Sequence, residues 1–269
     1  MKSSHRQTDP LRAFTPDICL RFVRDWLRLE AWYARFLVRK CGISLDEVLE
    51  NRVYLFGKTY RESDADWSAW KRTFAELMAV YANDDRSSVL ESWTCMTDGR
   101  TAEANMAHYF ATQFEKPIRE SFAGFSYEFR PDYFAREEGT PDLLTLHFRN
   151  TFIPDSPFQH RDKLSEGLRT VVKRAGTERP DVTGMQCGTW LHSLAPFAAL
   201  FPPWWREKTV PCGPGAHMGW WGQFMDRRGL FHEANGAYMR RTGQFPFQHR
   251  QLVGPLSELR AFLKQNSPS

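Results

Sequence analysis

Residues 143–176 read LLTLHFRNTFIPDSPFQHRDKLSEGLRTVVKRAG, and residues 180–205 read PDVTGMQCGTWLHSLAPFAALFPPWW. Together they spell strand, turn, helix, strand, helix. Leu144, Leu146 and Phe148 alternate with Thr145, His147 and Arg149, the period of two expected of a strand over Leu143–Asn150. Pro154, Asp155, Ser156 and Pro157 then supply a turn,. Leu164, Leu168, Val171 and Val172 recur at helical spacing, so Lys163–Ala175 has one apolar face. Gly176 stands where a helix C-cap is expected, with Pro180 just beyond,. Val182–Leu191 is short, carries two glycines and reads as a second strand. A strand, a helix and a strand in this order make a parallel unit.

Working outward, the pattern upstream is helical. Thr15-Pro16-Asp17 reads as a helix start, and Ile18, Phe22, Trp26, Leu29, Tyr33, Phe36 and Leu37 follow every three or four residues until Gly42,. A short helix is expected from Ser44, a third from Asp64 carrying Trp67 to Tyr81, and a further stretch over Ala102–Phe122. Near Gly124 the period changes to two. Phe125–Arg130 is expected to pair with Leu143–Asn150 as an antiparallel hairpin, with Tyr133–Thr140 as the connection. Downstream, Met218–Met225 reads as a strand that turns at Asp226–Gly229 into Leu230–Phe231. Glu233–Arg241, ending at Gly243, and Ser257–Lys264 read as helices. The fold class expected is α+β: a helical domain over residues 1–122, then a mixed-sheet α/β domain over 123–269.

Composition narrows the function classes. With 42% hydrophobic and 25% charged residues the chain is that of a globular protein,. No run approaches the roughly 18 apolar residues of a membrane span, and a net charge of +4 with isolated basic pairs gives no nucleic-acid stripe,. The five cysteines are scattered and odd in number, which points to a reducing cytoplasm rather than a disulfide framework. The histidines show no H-E-x-x-H or H-x-H spacing, so no metal is expected. A small-molecule substrate is the expected partner, with no membrane and no nucleic acid.

The strand LTLHFRN, the long helix, and then CGTWLHSLAPFAALFP resemble the C-terminal half of uncharacterised acyltransferase-like proteins. Those pair a helical N-terminal domain with a GNAT-like C-terminal domain. The positions that carry the resemblance are Leu144–Phe148, Cys187–Leu191 and Leu200–Pro202, over about 60 residues; Thr189 stands where the family's signature has serine. The resemblance implies a GNAT-like sheet and transfer of an acyl group from a thioester donor, such as acyl-CoA, to an amine or hydroxyl. Its departure is the turn at 154–161, which has two prolines and no glycine where such enzymes carry a glycine loop,.

Candidate site residues follow from the chemistry. His147 could act as general base, and Arg149, on the same strand face, could hold a carboxylate or phosphate; the alternative is a solvated sheet face. Cys187 could be a nucleophile with His192 as base. Five residues along a strand span about 16 Å, so that pair meets only if the chain turns. Ser156, Gln159, His160 and Arg161 at the helix start could anchor the anionic part of a donor, or simply cap the helix. Trp220, Trp221 and Gln223 could line an acceptor cleft, since adjacent strand residues face opposite sides, or belong to a core. The same residues allow a non-catalytic small-molecule or protein-binding module of this fold, or a biosynthetic enzyme of another class working in a complex. F-Q-H-R occurs at 158–161 and at 247–250 and reads as a chance recurrence.

Overall fold

The computed structural model describes residues 16–54, 71–72, 75–76, 121–132 and 140–266. Nearly all of the helices expected over Asp64–Tyr81 and Ala102–Phe122, and of the Tyr133–Thr140 connection, lie outside the described residues. The chain gathers into two compact units, each built from two segments: residues 1–116 with 214–246, and residues 117–213 with 247–269.

In the first unit, α1 (Pro16–Cys41) buries Phe22, Trp26, Leu29, Tyr33 and Leu37 along one stripe, the 3.6-residue repeat read from the sequence. Gly42, at φ +67°, ends it. In α2 (Leu45–Asn51), Ser44 caps the first turn by accepting from the Glu47 N–H at 3.2 Å,. The same unit holds Met218–Phe224, and here the strand expectation is corrected. Met218–Trp221 is a helical turn and Gly222–Phe224 a 3₁₀ turn. The His217 carbonyl accepts from the N–H groups of Trp220 and Trp221, both at 3.0 Å. Local bonds thus replace a ladder, and both indoles enter one core instead of facing opposite ways. Trp221 stacks on Trp26 at 6.4 Å and donates to the Arg52 carbonyl at 2.9 Å. Of the expected hairpin the turn at Asp226–Gly229 stands, with the Gly229 N–H donating to the Asp226 carbonyl at 3.0 Å, and the pairing is reduced to a Met225–Phe231 bridge. A further helix in this unit spans Glu233–Thr242. It ends at Gly243, at φ +70°.

The second unit is a five-stranded mixed sheet of order β1-β2-β3-β5-β4. Strands β1 (Phe125–Pro131) and β2 (Asp142–Phe148) pair antiparallel over seven positions, from Phe125 with Phe148 to Pro131 with Asp142. The crossover helix (Arg161–Glu178) leads to β3 (Gly184–Thr189), which runs parallel to β2. That helix passes the expected end at Gly176 and runs to Glu178. Gly176 does different work: a Cβ there would lie 2.3 Å from the Arg260 guanidinium. Two strands escaped the sequence reading: β4 (Val210–Pro211) and β5 (Arg250–Pro255), which pairs antiparallel with both β3 and β4. A closing helix follows at Leu256–Gln265. Leu164, Leu168, Val171 and Val172 of the crossover helix and Leu259 and Leu263 of the closing helix share one core with Leu144, Leu146, Met185, Cys187 and Leu252 of the sheet.

Candidate functional site

The parallel pair β2/β3 is in register only at Leu144 with Met185 and at Thr145 with Gln186. Beyond that point β3 continues against β5 alone. Its Cys187 carbonyl is met by a side chain: His192 Nε2 lies 3.1 Å from it. The local sequence explains why the ring reaches back. Thr189 is extended and its hydroxyl accepts from the Leu191 N–H at 3.2 Å, which caps a 3₁₀ turn over Trp190–Ser193,. The turn folds His192 over the end of the strand that precedes it.

His192 lines a cleft of about 430 Å³ at the carboxyl end of β3, the end of a strand where ligands bind in α/β units. Phe201 and Trp205 form its apolar wall, and Arg206, Thr209 and Arg250 bring polar groups. The His192 ring packs against Phe197 at 5.3 Å and Phe201 at 5.5 Å. This burial, with the Arg250 charge adding to it and the Cys187 bond opposing it, pushes the imidazole down to about 4,. A carbonyl oxygen only accepts, so Nε2 carries the proton of the neutral ring and Nδ1 carries the lone pair.

Arg250 is fixed in place. Its Nε donates to Thr209 Oγ1 at 2.7 Å and its Nη2 to the Thr209 carbonyl at 2.9 Å, with a longer Nη1 bond to Gln248 at 3.4 Å. An N–H remains on each terminal nitrogen. Arg206 is exposed. Neither guanidinium has a carboxylate partner among the described residues. Trp205 is held by Glu258, whose Oε2 accepts both its indole N–H at 2.7 Å and that of Trp204 at 2.6 Å. The Trp204 and Trp205 bonds hold the Glu258 carboxyl below its usual range, with Lys208 assisting.

The residues singled out in the sequence lie in several places. His147 is exposed on β2, and its Nε2 is 2.7 Å from Glu128 Oε1; Glu128 Oε2 in turn pairs with Arg130 at 2.8 Å. Arg149 lies just past the end of β2, half-buried, and burial lowers its pKa. Ser156, Gln159, His160 and Arg161 lie on the 3₁₀ turn Pro157–His160 and the start of the crossover helix. Ser156 makes no side-chain cap there, and His160 stacks on Phe152 at 4.5 Å and meets Asp155 at 3.1 Å. A diphosphate at this turn would face the Asp155 carboxylate and two prolines that lack N–H groups, so the turn does not fit the anionic end of coenzyme A. Cys187 is fully buried, and burial raises its thiol to about 12; His192 meets its carbonyl rather than its sulfur. Trp220, Trp221 and Gln223 are buried in the first unit, where Gln223 donates to the Trp220 carbonyl at 2.8 Å.

Sequence reasoning passed over Arg206 and Arg250. The FQHR string at 247–250 held one of them and reads from the sequence as a chance recurrence. Among the described residues, no group of three His, Cys, Asp or Glu side chains could hold a metal ion, and no helix is long and apolar enough to cross a membrane. No family model matches the chain, and neither a curated protein nor a solved structure matches it.

Proposed function

We propose that the sheet-bearing unit binds a small molecule with an anionic group in the cleft between Trp205, Arg206 and Arg250. The observation that carries this is the pair of guanidiniums on one cleft without a carboxylate partner among the described residues. An arginine already held through Thr209 is pre-organised, so a carboxylate or phosphate meets donors that need little ordering. The aromatic wall supplies apolar area for the rest of the ligand. Titration with inorganic phosphate, followed by calorimetry, tests it: Arg206→Ala should weaken binding about tenfold. Equal affinity in parent and variant would refute the reading.

A second reading, acyl transfer from a thioester donor to an amine or hydroxyl by a GNAT-like domain, is favoured by the His147–Glu128 pair at 2.7 Å. A carboxylate that orients an imidazole is a general-base arrangement, and the parallel β2/β3 pair joined by a helix supports the fold assignment. On this reading His147→Ala lowers turnover of acyl-thioesters by roughly 10²–10⁴-fold. An unchanged kcat would remove His147 from the chemistry.

A further inference from the structure

Resting on the anion-binding reading, we infer that the cleft selects an oxyanion that carries its own O–H group, because His192 Nδ1 stands there as a hydrogen-bond acceptor. Nε2 is committed to the Cys187 carbonyl at 3.1 Å. Nδ1 has no hydrogen-bond partner among the described residues, and it is not one of the sealed, unpartnered nitrogens. With the ring in the cleft wall and Nε2 committed, Nδ1 is the nitrogen left for a ligand. Its neighbours set its character. Phe197 and Phe201 flank the ring, and Arg250 adds positive charge from β5. The ring therefore stays neutral, and its second nitrogen accepts instead of donating.

A site with cationic donors and one fixed acceptor reads two things at once. The guanidiniums take the anionic oxygens. The acceptor takes a proton from an attached hydroxyl. An anion without that hydroxyl sets an oxygen lone pair against the nitrogen lone pair and leaves an acceptor on a buried ring unpaired,. Hydrogen phosphate and a 2-hydroxy carboxylate share the required chemistry. Sulfate and a simple carboxylate lack it at the same charge.

The test is calorimetric titration of the full chain at about pH 8 with four probes: inorganic phosphate, sulfate, 2-hydroxypropanoate and propanoate. Phosphate should bind at least about tenfold more tightly than sulfate, or 2-hydroxypropanoate more tightly than propanoate by the same factor. The pair that discriminates identifies the ligand's oxyanion. In His192→Phe, which keeps a flat ring among Phe197 and Phe201, the ratio should fall towards one. Because the comparison in the parent chain needs no variant, a His192→Phe chain that fails to fold leaves the test intact. Equal affinities within both pairs in the parent chain would overturn the inference and leave the anion-binding reading standing. Binding of none of the four would overturn both.

Discussion

Replacing His192 by glutamine should flatten the acid arm of this protein's stability curve. The folded imidazole titrates at about 4 against an ordinary 6.5, burial being the main cause. In the unfolded chain the same ring takes up a proton as the pH falls through 6.5. The unfolded state then binds more protons than the folded state, so stability rises with pH and is lost on acidification. At pH 5 the unfolded ring is almost wholly charged and the folded ring still neutral, a loss of about 2 kcal/mol relative to pH 7.5. An arginine side chain is cationic at any pH in this range, and the buried Cys187 thiol stays protonated, so neither kind of neighbour reverses the sign. In His192→Gln the amide retains a donor for the Cys187 carbonyl, so its cost at pH 7.5 is about 1 kcal/mol. Urea unfolding at pH 7.5 and pH 5, with NMR titration of the His192 ring, provides the assay. Parallel acid losses in parent and variant, or a His192 resonance titrating near 6.5, would refute the reasoning.

Cys187 should resist iodoacetamide in the folded protein at about pH 8 while the exposed Cys41 is labelled, because burial keeps the Cys187 thiol protonated,; peptide mass spectrometry showing native Cys187 alkylation would contradict this. Gly243→Ala should destabilise the first unit by at least about 2 kcal/mol. The residue sits at φ +70°, where a side chain is strained, and its Cβ would lie 2.2 Å from the Phe36 ring,. An unchanged urea midpoint in tryptophan fluorescence would show that Phe36 moves aside without cost. Gly254→Ala should act on the cleft, since a Cβ there would lie 2.6 Å from the Trp205 indole. The expected result is weaker phosphate binding together with lower stability, and retention of both would mean that Trp205 is not held as described.

The elements legible in the sequence were those whose stabilising pattern is local. The stripe from Phe22 to Leu37, the alternation at Leu144–Phe148 and the apolar face from Leu164 to Val172 each state their period within a few residues,. The sequence by itself therefore determined a long N-terminal helix and a strand–helix–strand crossover. It did not determine Met218–Phe224, where adjacent tryptophans and flanking glycines suit a strand as well as a turn of helix. Burial of both indoles beside Trp26 and Phe245 decided that element. Nor did it determine β5, whose pairing partners stand more than 35 residues away in the chain by the register of Gln251 with Val210 and with Gly188. The cleft is a tertiary product for the same reason. His192 follows β3, Arg206 lies on a separate 3₁₀ turn and Arg250 opens the last strand. Only antiparallel pairing of β3 with β5 brings the two ends of that stretch together, because a strand's position in a sheet depends on partners that no local periodicity names.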